Sequence, residues 1–191
     1  MNSHTPSPGA VAAVILAGLA LTACDEGKPR HDPPDPFAIA PPPPAVLAAR
    51  APRGLSPGLP KRPQMAGFSL DAIGPAWDPL NKQPAVVSAA EPLTLQGFGF
   101  DPVARGPGRG VDVVIDGRPY GTAYGAQRAD VAAYFKTPAL TAVGFHTTLP
   151  AGLVGVGDHQ AAVRVIAADG KGYFDGPPIA FTVRFAEPRR H

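Results

Sequence analysis

Among the side chains in the second half of the chain that could do chemistry, six stand out: Tyr120, Tyr124, Arg128, Asp130, His146 and His159. Four of them crowd into one stretch, Gly110 to Ala133, which reads GVDVVIDGRPYGTAYGAQRADVAA. Arg128 and Asp130 beside a histidine would suit acid–base work if a pocket joined them and shifted their proton affinities. Nothing around them completes a reaction. The one cysteine, Cys24, lies far upstream, no paired glutamates are present, and no His, Cys or Asp cluster has metal-ligand spacing. His31 stands alone beside Asp32 in a stretch of mixed charge. The sequence therefore assigns no catalytic residue, no metal and no cofactor, and reads as a non-enzyme. Two readings of Arg128 and Asp130 stay open. The favoured one is an ion pair or cap that fixes the loop after Tyr124-Gly125; the other is a binding surface shared with Tyr120 and Tyr124. His159 is read as starting a strand and bonding to the backbone.

The elements that position these residues occupy only part of the 191 residues. Glycine (22) and proline (26) are abundant, and the prolines crowd the first third, as in a long non-globular segment joined to a loop-rich β domain. Net charge is +2, but residues 67–185 carry nine Lys/Arg against ten Asp/Glu. The basic surplus lies in residues 25–66, with six Lys/Arg against four Asp/Glu, and in the tail 186–191. A basic face for nucleic acid is not indicated.

Residues 11–21, VAAVILAGLAL, form an apolar run of signal-peptide length that is short for a membrane span. It ends in Leu21-Thr22-Ala23-Cys24, which resembles the lipobox of bacterial lipoproteins. The resemblance implies a signal peptide over 1–23 and a Cys24 that becomes the acylated first residue of the mature chain. Multiple acyl chains would hold the protein where a single chain holds only marginally. The first ten residues carry no Lys or Arg, which departs from the usual positive n-region. Asp25 follows directly, and in enteric lipoproteins an aspartate there leans towards the inner membrane. The anchored protein would face the periplasm or the cell surface. With its one cysteine used in this way, the fold would contain no disulfide.

Twelve prolines fall between Asp25 and Ala66. Proline fixes φ and removes a donor, so residues 24–66 read as an acylated cysteine followed by a disordered spacer with polyproline II character. Pro41 to Pro44 could alternatively dock into an aromatic groove.

Residues 67–185 read as about seven strands. Phe68, Leu70 and Ala72 alternate in the first, and Trp77 marks a following loop as a core plug or anchor. Residues 85–90 form a short edge strand. In Glu91 to Phe100 the glycines at 97 and 99 suggest a bulge. Val111, Val113 and Ile115 face one way and Asp112, Val114 and Asp116 the other, the period of a half-buried strand. Asp116-Gly117 is a hairpin turn signal, Pro119 to Tyr124 is the returning strand, and ADVAAYF is a short helical turn. The strands of 141–149, 159–169 and 179–185 follow, with Ala161, Val163 and Val165 inward and Arg164 outward. Regularly spaced strands with turns between them predict an all-β sandwich.

GFGFD (97–101), VDVVIDG (111–117), YGAQRADVA (124–132), VGF (143–145) and DHQAAVRVIAADG (158–170) occur in an order that resembles bacterial immunoglobulin-like domains. Phe98 stands where that family often has Trp, and Asp158 where it has Gly. The resemblance spans about 67–185 and implies an immunoglobulin-like architecture without a single ligand. Taken together, the chain reads as a lipid-anchored envelope protein that presents this module to a protein partner. The alternative is a non-catalytic carbohydrate-binding module, with Tyr120, Tyr124, Tyr134 and Tyr173 as stacking platforms for envelope polysaccharide.

Overall fold

The computed structural model describes residues 42–82 and 85–185. Cys24, Asp25, the apolar run before them, the spacer as far as residue 41 and the tail 186–191 lie outside the described residues. Regular structure begins well before Gly67. Helix α1 spans Pro44–Arg50 and strand β1 spans Lys61–Met65, both within the stretch read as disordered spacer. The prolines sit where these elements tolerate them. Pro44 occupies the first turn of α1, where its missing N–H has no partner to lose. Pro63 lies in a strand at the edge of its sheet.

Strands β2 (Gly67–Ile73), β3 (Ala76–Trp77), β4 (Ala85–Ser88) and β5 (Leu93–Phe100) come next. They are followed by β6 (Gly110–Ile115), β7 (Arg118–Gly121), β8 (Ala123–Ala126) and the helical turn α2 (Ala129–Tyr134). A 3-10 turn, Pro138–Ala142, leads to β9 (Gly144–Leu149). The last strands are β10 (Gly157–Ile166), β11 (Tyr173–Asp175) and β12 (Ile179–Arg184). They form two sheets. One has five strands in the order β3-β2-β5-β9-β8. In the other, β6 and β7 flank one side of β10, while β11 and β12 pair with different halves of its other side. Gly176-Pro177-Pro178 separates β11 from β12, since proline cannot donate to a ladder. The outer edge of this broken strand is covered in parallel by two segments, β1 on β11 and β4 on β12. Covering an edge in this way removes a template for unwanted pairing.

The core lies between the sheets. Val111, Val113, Val163, Val165, Phe174 and Phe181 from one meet Leu70, Ile73, Leu95, Phe145 and Leu149 from the other, all of them buried. The alternation read for β10 is present: Ala161, Val163 and Val165 are fully buried and Arg164 is half-buried on the outer side. Asp116 and Gly117 both have positive φ, 48° and 82°, as a tight hairpin between β6 and β7 requires. The bulge falls on the partner strand rather than on β5. The register slips between Leu70 and Ala72, opposite Gly97, whose missing side chain makes room for the Ser69 carbonyl. The returning strand is two strands. β7 pairs with β6, the chain crosses at Thr122, and β8 joins the other sheet beside β9. Hydrogen bonds hold the crossing: the Thr122 hydroxyl donates to the Val111 carbonyl and the Thr147 hydroxyl to the Gly121 carbonyl, at 2.8 and 2.9 Å.

Strand β6 is buried along its whole length, not on one face. Residues 52–56 lie over its outer side. Asp112 has no solvent exposure, and its two carboxylate oxygens accept the backbone N–H groups of Leu55 and Ser56, each at 2.8 Å. Lys61 and Arg164 both reach Asp175, which holds β1 in place. An asparagine at 112 would keep only one acceptor oxygen and turn an amide N–H towards a backbone N–H. Asp112→Asn should therefore lower the unfolding free energy in urea by about 1–3 kcal/mol. Amide exchange at Leu55 and Ser56 should speed up by more than exchange in β10.

Candidate functional site

The four residues proposed as a binding surface do not form one. Tyr120 points into the core with 5% exposure. Tyr124 is half-buried, and its hydroxyl donates to the Gly99 carbonyl at 2.7 Å and accepts from the Gly108 N–H at 3.2 Å. Burial, the dominant effect, pushes the Tyr124 phenol up to about 12. Both tyrosines are committed to the fold. Tyr173 is committed too, since the Arg164 guanidinium lies 3.9 Å from its ring centroid. Of the four tyrosines offered as sugar platforms, only Tyr134 is open, at 81% exposure.

Arg128 and Asp130 do come together, and Arg128 reaches further than the sequence suggested. Its Nε and one terminal nitrogen grip Asp130 in a two-pronged pair at 2.9 and 2.8 Å. The other terminal nitrogen donates to Asp71 on β2 at 2.6 Å. On the way the guanidinium passes 5.2 Å from the Phe98 ring centroid. Gly144 lets the side chain lie flat, because a Cβ there would meet the Arg128 stem. The Asp71 carboxylate also accepts the Ser69 hydroxyl at 2.6 Å. Arg128 is thus a brace laid across the outer face of the five-stranded sheet. Hydrogen bonding to Asp130 raises its proton affinity above even the usual guanidinium value.

His159 opens β10, as expected, and its ring spans two acceptors. Nδ1 faces the Asp116 carboxylate at 2.6 Å and Nε2 faces the Gly155 carbonyl at 2.8 Å. His159 lies far from Arg128 in the fold, on the strand paired to β6 rather than in the five-stranded sheet. No catalytic grouping joins it to Arg128 and Asp130.

The face that Arg128 braces also carries a groove. A cavity of about 430 Å3 is lined by Asp71, Trp77, Gln96, Arg128, Gly144 and His146, among others. Trp77 is not a core plug; it is 62% exposed, at the edge strand β3. The ladder register sets Trp77, Ala72, Gln96, His146 and Ala123 in one row across all five strands. Residues paired in a ladder point to the same face, so this row lies along the outer surface. The row is invisible in the sequence because each member comes from a different strand. The exposed, alternating Thr94, Gln96, His146 and Thr148 were its one available signal.

A second feature surrounds α2. Val131, Leu140 and Val143 make a small core of their own beneath it, against Phe98 and Phe100. Phe135 packs edge-on to Phe98 and Phe100, and Tyr134 edge-on to Phe135. The crest is open, with Phe135 at 40% exposure and Tyr134 beyond it.

No protein-family model, curated protein or solved structure matches this chain.

The brace has a measurable signature. The hydrogen bond from Arg128 holds the Asp130 carboxyl at about 2, below its ordinary 3.8. A depressed carboxyl stabilises the fold above its ordinary value, and that contribution is lost as pH falls from about 4 towards 2. Carbon-detected NMR titration should place Asp130 near 2 in the native protein and back in the ordinary carboxylate range in Arg128→Gln.

Proposed function

We propose that this chain is a lipid-anchored protein of the bacterial cell envelope that presents a non-catalytic, immunoglobulin-like module to a protein partner. The anchor would be Cys24, and Asp25 gives the lean towards the inner membrane. The immunoglobulin-like reading is supported by strand order. The run β2-β5-β9-β8 and the run β6-β10-β12 follow the A-B-E-D and C-F-G orders of that sandwich.

The observation that carries the partner reading is the open crest of α2. Tyr134 and Phe135 project beside a cavity of about 290 Å3 lined by Met65, Phe100, Pro102, Arg105 and Leu140. Aromatic, methionine and arginine side chains are the types enriched where proteins meet, and well-supported aromatics carry most of the binding energy. The ring cluster beneath α2 gives Tyr134 that support. Three of the four tyrosines named for polysaccharide stacking are committed to the fold, which weakens the alternative in that form.

Two experiments test the two halves of this reading. Cys24→Ser should leave the first 23 residues uncleaved and abolish incorporation of labelled palmitate; normal cleavage, or no label in the unsubstituted protein, would refute the anchor. A photo-crosslinking residue at 134 should give one discrete protein adduct in native envelopes. The same residue at Gln160, on the other sheet, should not. Equal adducts at both positions, or none at 134, would remove the crest as the partner surface.

A further inference from the structure

We infer that the outer face of the five-stranded sheet is a binding groove for a neutral, hydroxyl-rich oligosaccharide, with Trp77 as its stacking platform and Gln96, His146 and the Asp71–Arg128 pair as its polar contacts. This goes beyond the partner reading and depends neither on the anchor nor on the α2 crest.

The floor is the cross-strand row. Trp77 stands at one end, 62% exposed, with Ala72 low beside it, then Gln96 and His146, both exposed. Neighbouring strands lie about 4.8 Å apart, so Trp77 to His146 spans roughly 14 Å. That is longer than a single pyranose ring. The groove also continues. A second cavity, of about 470 Å3, meets the first at His146 and runs past Thr122 and Thr148 towards Arg53. Each cavity lies within the ~300–1,000 Å3 of small-molecule sites. A long shallow track on a sheet face suits an extended chain of rings better than a compact ligand.

The chemistry fits the same class. A pyranose has an apolar C–H face and a rim of hydroxyls. The face packs on an indole, and the rim needs both donors and acceptors within reach. Gln96 offers both from one amide. His146 adds two ring nitrogens as polar contacts. Among the described residues neither side chain makes a hydrogen bond within the protein, so both are available. Asp71 and Arg128 present a carboxylate and a guanidinium side by side, fixed by their mutual bond at 2.6 Å. A fixed pair of this kind costs little ordering on binding.

Charge argues against the other candidates. Two carboxylates, Asp71 and Asp130, share the Arg128 guanidinium, and Arg53 at the far end of the track only brings the count to neutral, so the groove has no surplus positive charge for an anionic glycan or a nucleic-acid strand. A peptide would seek an open sheet edge or an apolar groove. Here a row of mixed side chains crosses the strands at right angles, and the ladder N–H groups beneath it are already paired, so no strand-like backbone docking is offered on this face.

Trp77 is the only tryptophan in the chain, so intrinsic tryptophan emission reports on this site alone. The full-length protein in detergent should be titrated with chitotetraose and with cellotetraose. A saturable emission shift with at least one of them is expected, weaker by about tenfold in Gln96→Ala and in His146→Ala, the scale of one lost hydrogen bond. The disaccharide of the same series should bind more weakly than the tetramer. Both substitutions fall at exposed positions, and an unchanged thermal midpoint in each variant separates lost binding from lost fold. Three results would overturn the inference. These are no emission change with either tetramer at millimolar concentration, a shift that survives both substitutions, and stronger binding of an anionic alginate tetramer than of either neutral one.

Discussion

Asp112 sits in the middle of β6 with both oxygens turned outward and no exposure to solvent. A buried carboxylate is costly unless its acceptor capacity is filled. Here it is filled by two backbone N–H groups from a segment more than fifty residues upstream. The consequence runs in both directions. Without Leu55 and Ser56 in place, β6 would carry an unanswered charge on its outer face. Without Asp112, the segment would lose the two bonds that seat Leu55 and Ser56 on β6. The same segment continues into β1, whose Arg62 bonds Asp169 and lies over the Phe174 ring. The folded unit therefore includes residues that composition alone would leave in the spacer.

The two outer faces are consequently unequal. That of the seven-stranded sheet is occupied by residues 52–56 over Asp112, and by Arg164 bonded to Asp175 and stacked on Tyr173. That of the five-stranded sheet keeps an exposed tryptophan, an amide and an imidazole in one row. Which face stays open is thus decided by where the upstream chain docks.

Much of this architecture could be read from residue patterns. Alternation located β2, β5, β6, β10 and β12, and Asp116-Gly117 located the hairpin, because these signals depend on neighbours in the sequence. What escaped depended on partners distant in the sequence. Tyr120 looked available on a short strand, yet the chain crosses to the other sheet one residue after β7, and its ring is left inside. Trp77, expected in a loop as a core plug or anchor, instead lies exposed on β3, a two-residue edge strand with no layer above it to fill. The Arg128–Asp130 pair was legible at a spacing of two residues. Asp71 was not, since only the bulge opposite Gly97 brings it within reach. Proline misled in the spacer for a related reason. Its prohibitions apply inside helices and central strands, whereas Pro44 and Pro63 occupy a first turn and an edge.

Arg128 also separates the two surfaces proposed for binding. Its guanidinium lies over Phe98, which belongs to the ring cluster under α2, and it forms a wall of the groove that holds Gln96 and His146. A lysine there could not serve the same way. It would present a point charge instead of a planar fork, and could not grip Asp130 with two donors while reaching Asp71 with a third. The brace needs Gly144 beneath it and the β2 bulge beyond it. Three apparently unrelated details, a glycine, a slipped register and an Arg-x-Asp spacing, thus act as one device. It keeps the face of a five-stranded sheet open on one side of Phe98 and packed on the other.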